Sequence, residues 1–193
     1  MDITPADVAS AWSAACQEYG AVYHDKASMP GVDWVGEMLA RVGVISQADW
    51  ARASTTVPLP GTQYSLVLLP DPPGEGEPLS QLRTISHELT HARQWQRDGY
   101  TYPYRYLTDE VERASYEAYA QYAAAEILWW ARGERLDVDA WEQRLQRSYA
   151  CSRAAAAHGA AMLTQHLDDT VCKGARSSAV AQYLIRHIEG RHR

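Results

Sequence analysis

Residues 82–95 read LRTISHELTHARQW, and the run from His87 to His91 decides how the rest of the chain must be arranged around it. Two histidines four apart lie about 40° from each other around a helix, so both rings can turn to one ion. Glu88 lies about 60° from His91 on the same wheel, close enough to reach a water on that ion without binding it. Imidazole pairs of this kind suit zinc, which lowers the pKa of its water and readies it to attack a polarised carbonyl. Two hydrogen-bonded histidines on a half-buried helix face would explain the same letters, so the context has to decide.

The flanking sequence supplies a helical context. Tyr64 to Leu69 (YSLVLL) is a short apolar run between Gly61 and Pro70 and predicts a strand. Asp71 to Pro78 (DPPGEGEP) predicts a turn-rich loop, with Ser80 as the cap of a helix starting near Gln81. Leu82, Ile85 and Leu89 then recur at helical spacing, and Asp98-Gly99 marks the stop, about five turns on. Thr55 to Leu59 and Tyr64 to Leu69, joined through Pro60-Gly61, predict a hairpin or two adjacent strands.

Outside this region the chain divides by composition. Eight of the nine prolines precede residue 79, and the last is Pro103. The proline-free remainder holds two alanine-rich stretches, Ala114 to Ala131 and Ala150 to Ala161, which predict closely packed helices. Pro5 to Tyr19 predicts a helix with Thr4 as cap and Pro5 at its first position. Val32 to Val42 and Gln47 to Arg52 predict two short helices, and Tyr100 to Tyr106 (YTYPYRY) a tyrosine-rich connection. The expected fold class is α+β, predominantly α, with a small sheet beside the HExxH helix and an alanine-rich helical C-terminal half.

Composition narrows the function classes. A chain of 193 residues without a compositional boundary suits one domain over 1–193. A formal net charge of −6 argues against nucleic-acid binding through bulk electrostatics. No apolar run reaches the length of a membrane span, and the first residues lack the pattern of a secretory signal. The expectation is a soluble cytoplasmic protein. Cys16, Cys151 and Cys172 are widely spaced and odd in number, which predicts reduced, mostly buried thiols. Twelve tyrosines and seven tryptophans stand beside no phenylalanine, so part of the core must find partners for phenol and indole groups.

A catalytic zinc takes three protein ligands and keeps a fourth position for water. Positions 94 and 97 are Gln and Arg, so no third histidine follows at short spacing. The acidic stretch from Asp109 offers Glu110, Glu112, Glu117 and Glu126. Glu112 and Glu117 lie about 140° apart on a helix, so at most one of them faces the metal. Glu117 sits among Ala114, Ser115, Tyr116, Ala118 and Tyr119, where a carboxylate without a partner is expensive to bury. Glu117 is therefore the first choice and Glu112 the second, while Glu110 is explained by the positive end of its helix dipole.

HELTHARQW followed by an acidic helix containing YEAYA resembles a gluzincin-type zinc metallopeptidase. It is similar in particular to small HExxH proteins of bacteria and phages that carry HELxHxxQ and a later ExxA segment. The likeness covers Leu82 to about Gly133, and the NExxSD segment of the thermolysin branch is absent. The resemblance implies a zincin-like fold, Zn²⁺ on His87, His91 and a glutamate of the following helix, and Glu88 as general base. It also implies a peptide or protein substrate. A zincin-like interaction module with little hydrolysis, and a zinc hydrolase of a different amide, are the two alternatives.

Several neighbours carry two readings each. Gln94 lies on the metal-facing side, either to bond a group near the site or to pack. The tyrosines of 100–106 either line a cleft, one of them stabilising an oxyanion, or pack a loop. His158 is another possible oxyanion partner or a plain helical residue, and Trp95 reads as core. Asp109 and Glu110 are available to orient the imidazoles.

Overall fold

The computed structural model describes residues 2–26, 31–41, 50 and 53–193. Helix α1 (Pro5–Tyr19) leads into strand β1 (Ala21–Asp25) and helix α2 (Val32–Arg41). Strands β2 (Thr55–Pro58) and β3 (Ser65–Leu69) follow. The rest is helical: α3 (Pro78–Asp98), α4 (Thr101–Thr108), α5 (Glu110–Arg132), α6 (Val138–Ser148), α7 (Arg153–Asp169) and α8 (Ala179–Arg191). A short 3₁₀ turn, Val171–Lys173, lies between α7 and α8. The class is α+β and mostly helical, as the sequence predicts. The expected helix over Gln47 to Arg52 lies outside the described residues apart from Trp50, as does Val42.

Helix α1 begins with a reciprocal cap. The Thr4 hydroxyl accepts from Asp7 N, and the Asp7 carboxylate accepts from Thr4 N at 3.0 Å. The helix stops at Gly20, whose φ of +56° suits glycine. A Cβ there would fall 2.9 Å from Gln96 Nε2 and 3.0 Å from the Gln63 carbonyl oxygen. The chain thus turns directly into β1, which pairs parallel with β3 from Ala21↔Ser65 to Asp25↔Leu69. Composition alone did not reveal β1, a five-residue strand with only Ala21 fully buried. The expected β2–β3 pair forms antiparallel, Thr55 opposite Leu68, and β3 is central and buried along its whole length.

Helix α3 starts earlier than Ser80 would place it. Pro78 occupies the first turn, where its fixed φ helps and its missing N–H costs nothing, and the Glu77 carboxylate accepts from Ser80 N. Leu82, Ile85 and Leu89 are fully buried against Val8 and Ala11 of α1, Ile127 of α5 and Leu184 and Ile188 of α8. Truncating any one of these leucines to alanine would cost roughly 2–5 kcal/mol. Residues 101–108 form a helix rather than a loop, because Pro103 sits in its first turn, where proline is tolerated.

A second core joins Ala114, Ala118 and Ala125 of α5 to Trp141 and Leu145 of α6 and Leu163 and Leu167 of α7. At Gly159 a Cβ would meet the Ala114 carbonyl oxygen and a Leu145 methyl, both at 3.1 Å. Glycine there lets α7 lie close on α5. The cysteines are all free, but only Cys151 is buried; Cys172 is exposed, in the 3₁₀ turn. Among the described residues no helix is long and apolar enough to cross a membrane.

Candidate metal centre

Helices α3 and α5 pack side by side, and three side chains converge between them. His87 Nε2 and His91 Nε2 are 3.1 Å apart. The Glu117 carboxylate lies 3.3 Å from each ring, Oε2 facing His87 and Oε1 facing His91. Metal bonds of about 2.0–2.1 Å at tetrahedral angles place neighbouring ligand atoms roughly 3.3–3.4 Å apart. His87, His91 and Glu117 therefore form a group that can hold a metal ion. Glu117 is 1% exposed, and its Oε2 has no hydrogen-bond partner. His87 Nε2 stands 3.3 Å from that oxygen. A cation held between them would resolve the cost of the buried charge.

The surrounding phenols and amide fix these groups. His91 Nδ1 lies 2.7 Å from Gln94 Oε1 and 3.1 Å from the Tyr102 hydroxyl, while Gln94 Nε2 donates to the Tyr116 carbonyl. The Tyr106 hydroxyl donates to Glu117 Oε1 at 2.5 Å. Burial and the Glu117 charge push the phenols of Tyr102, Tyr106 and Tyr149 well above the usual tyrosine range, so all three keep their protons. Burial would by itself lower the pKa of His91, but the Glu117 carboxylate overrides it and raises the ring to about 9. Burial likewise acts to raise Glu117, and the two imidazoles hold it well below the carboxylate range.

Glu88 is 5% exposed and lines the same cavity as His87, His91 and Glu117. Thr56 of β2 donates to its Oε2 at 2.7 Å. Two cavities meet beside it, one of about 360 Å³ and one of about 210 Å³, and His87, Glu88 and Tyr149 line both. The smaller is walled by apolar side chains such as Trp50, Val57, Pro58 and Leu107. Lys26 braces this wall: its ammonium donates to the carbonyls of Trp50 and Ala53 and lies 3.7 Å over the indole centre. Burial draws its pKa down to about 8, against the pull of Glu88.

Of the other residues singled out in the sequence, Gln94, Tyr102 and Tyr106 join the site, and the rest do not. Glu112 faces outward toward Arg105, 3.8 Å away. Asp109 caps α5, and Glu110 accepts from Ser152, so neither orients an imidazole; Gln94 does. Glu126 is buried elsewhere, bonded to Ser177 and Ser178. His158 is exposed on α7, and Trp95 is core. Thr56, Tyr149 and Arg144 were missed because each reaches the cleft through tertiary packing; Arg83, one turn before His87 on the same helix, was missed because it belongs to no motif. No family model matches the chain, and neither a curated protein nor a solved structure does.

Proposed function

We propose that this chain is a zinc-dependent hydrolase of zincin-like arrangement that cleaves peptide bonds. The observation that carries the reading is the convergence of His87, His91 and Glu117 into one group that can hold a metal, beside a buried carboxylate, Glu88, that is not part of it. Two imidazoles and one carboxylate are a donor set that suits zinc. When bound, the ion supplies Lewis acidity, lowering the pKa of water and polarising a carbonyl oxygen.

Glu88 does the proton work. Thr56 anchors its Oε2, which leaves Oε1 for a proton in transit. It takes one proton as the water oxygen bonds to the carbonyl carbon. It then passes that proton to the nitrogen as the C–N bond breaks, releasing an amine and a carboxylic acid that keeps the water's other proton. Tyr149, protonated and lining both cavities, would donate to the carbonyl oxygen as negative charge builds there. Cavities on both sides of Glu88 favour an active hydrolase over an occluded module. Three free thiols accord with a reducing, cytoplasmic setting.

Glu88→Gln tests this directly, since it keeps the shape and removes the base. Zinc content should be unchanged, while cleavage of a mixed fluorogenic peptide library falls by about 10²-fold or more. Hydrolysis at near wild-type rate in this variant would rule out Glu88 as base.

A further inference from the structure

The larger cavity has a composition that the chemistry above does not use. Arg83 stands one helical turn before His87 on α3, on the same face and about 6 Å back along the axis. Arg83 lines the 360 Å³ cavity, and its Nε is buried without a hydrogen-bond partner. Burial pulls its pKa down, and the carboxylates of Glu134 and Glu77 offset that only in part. Arg144 enters the same cavity from α6, its guanidinium 5.8 Å from the Tyr149 ring centre. Three carboxylates also line it: Asp71 and Glu77 are exposed, Glu77 already accepting from Ser80 N, and the buried Glu88 accepts from Thr56. Among the described residues, no arginine or lysine lines the smaller, apolar cavity.

Resting on the hydrolase reading, we infer that the polar cavity selects substrates bearing a carboxylate, with Arg83 and Arg144 as the residues that recognise it. A guanidinium meets a carboxylate in plane through two parallel N–H···O bonds, and partial burial strengthens the pair. The offset of about 6 Å corresponds to roughly two residues of extended chain, so the carboxylate lies within about two residues of the scissile bond. It can be the C-terminus of a short peptide or an Asp or Glu side chain. The chain's charge of −6 does not oppose this, because exposed charges beyond about 8–10 Å are screened while the two guanidinium groups act at contact.

The test uses the zinc-loaded full chain and two probes, adipate monohydroxamate and its neutral carboxamide counterpart, with binding read by calorimetry. The carboxylate probe should bind about tenfold tighter or more. That preference should vanish in Arg83→Gln and shrink in Arg144→Gln, with carboxamide binding unchanged in both. Arg144 is exposed, so its variant keeps the test open if Arg83→Gln does not fold. Equal binding of the two probes to wild type overturns the inference and leaves the hydrolase reading standing. A preference that survives both substitutions overturns the assignment to these arginines. Zinc uptake with no binding of either probe overturns the hydrolase reading itself, and the inference with it. Peptides that wild type cleaves then separate the two sources of carboxylate. Loss of cleavage on C-terminal amidation assigns the terminus, loss on Glu→Gln exchange assigns a side chain, and no effect of either overturns the inference.

Discussion

The Nδ1 of His91 lies 2.7 Å from Oε1 of Gln94, and this contact sets which nitrogen of the ring faces Glu117. The amide is held in one orientation, because its Nε2 donates to the Tyr116 carbonyl at 3.0 Å. Oε1 therefore accepts, the metal-competent ring carries its proton on Nδ1, and the lone pair on Nε2 points into the triangle. Gln94→Leu should weaken zinc binding about 10–100-fold with the fold intact, measured by competition against a chromophoric chelator. Unchanged affinity would show that the amide does not orient the ring.

Proton linkage gives a second outcome. Glu117 raises His91 to about 9 in the metal-free protein, against the downward pull of burial. Zinc uptake near pH 8 should therefore release about one proton from this ring, seen as a difference in binding heat between buffers of unlike ionisation enthalpy. The sign for stability follows from the raised value. The contribution of the pair to the metal-free protein is fully present below the ordinary histidine value of about 6.5. It is lost as pH rises through about 9. The melting temperature of metal-free protein should fall across that window, and a flat profile would contradict the pairing.

Glu126, nine residues after Glu117 on the same helix, is a structural carboxylate, in contrast to Glu117, which belongs to the group that can hold a metal. Its Oε1 accepts from Ser177 N at 2.8 Å and Ser178 N at 3.0 Å, pinning the turn that opens α8. Glu126→Ala strands those donors and should cost about 2–3 kcal/mol in urea unfolding, with zinc content preserved. Glu117→Ala should instead lose zinc. Loss of zinc from Glu126→Ala at unchanged stability would contradict this division.

Much of the site was legible because helical spacing is a local property. The i, i+4 histidines, the intervening glutamate and the choice of Glu117 over Glu112 all follow from angles on a wheel and the cost of burying charge. The hairpin strands and the cap of α1 were legible for the same reason. What escaped depends on packing between distant segments. Tyr149 reaches the site from the end of α6, and Thr56 reaches Glu88 from β2. Strand β1 exists because Gly20 turns it onto β3, not because AVYHD alternates. The tyrosine run folded as a helix because Pro103 fell in a first turn, which depends on where that helix begins.

The most direct measurement is zinc per chain, by elemental analysis after loading and exhaustive dialysis of wild type, His87→Ala, His91→Ala and Glu117→Ala. Wild type should retain about one zinc, with an absorption-edge spectrum fitted by two nitrogens at about 2.0–2.1 Å and an oxygen at about 2.0–2.2 Å. Each variant should retain little or none. A wild-type protein that takes up no zinc, or a Glu117→Ala protein that binds it as tightly as wild type, would contradict the assignment of this triangle as the metal centre.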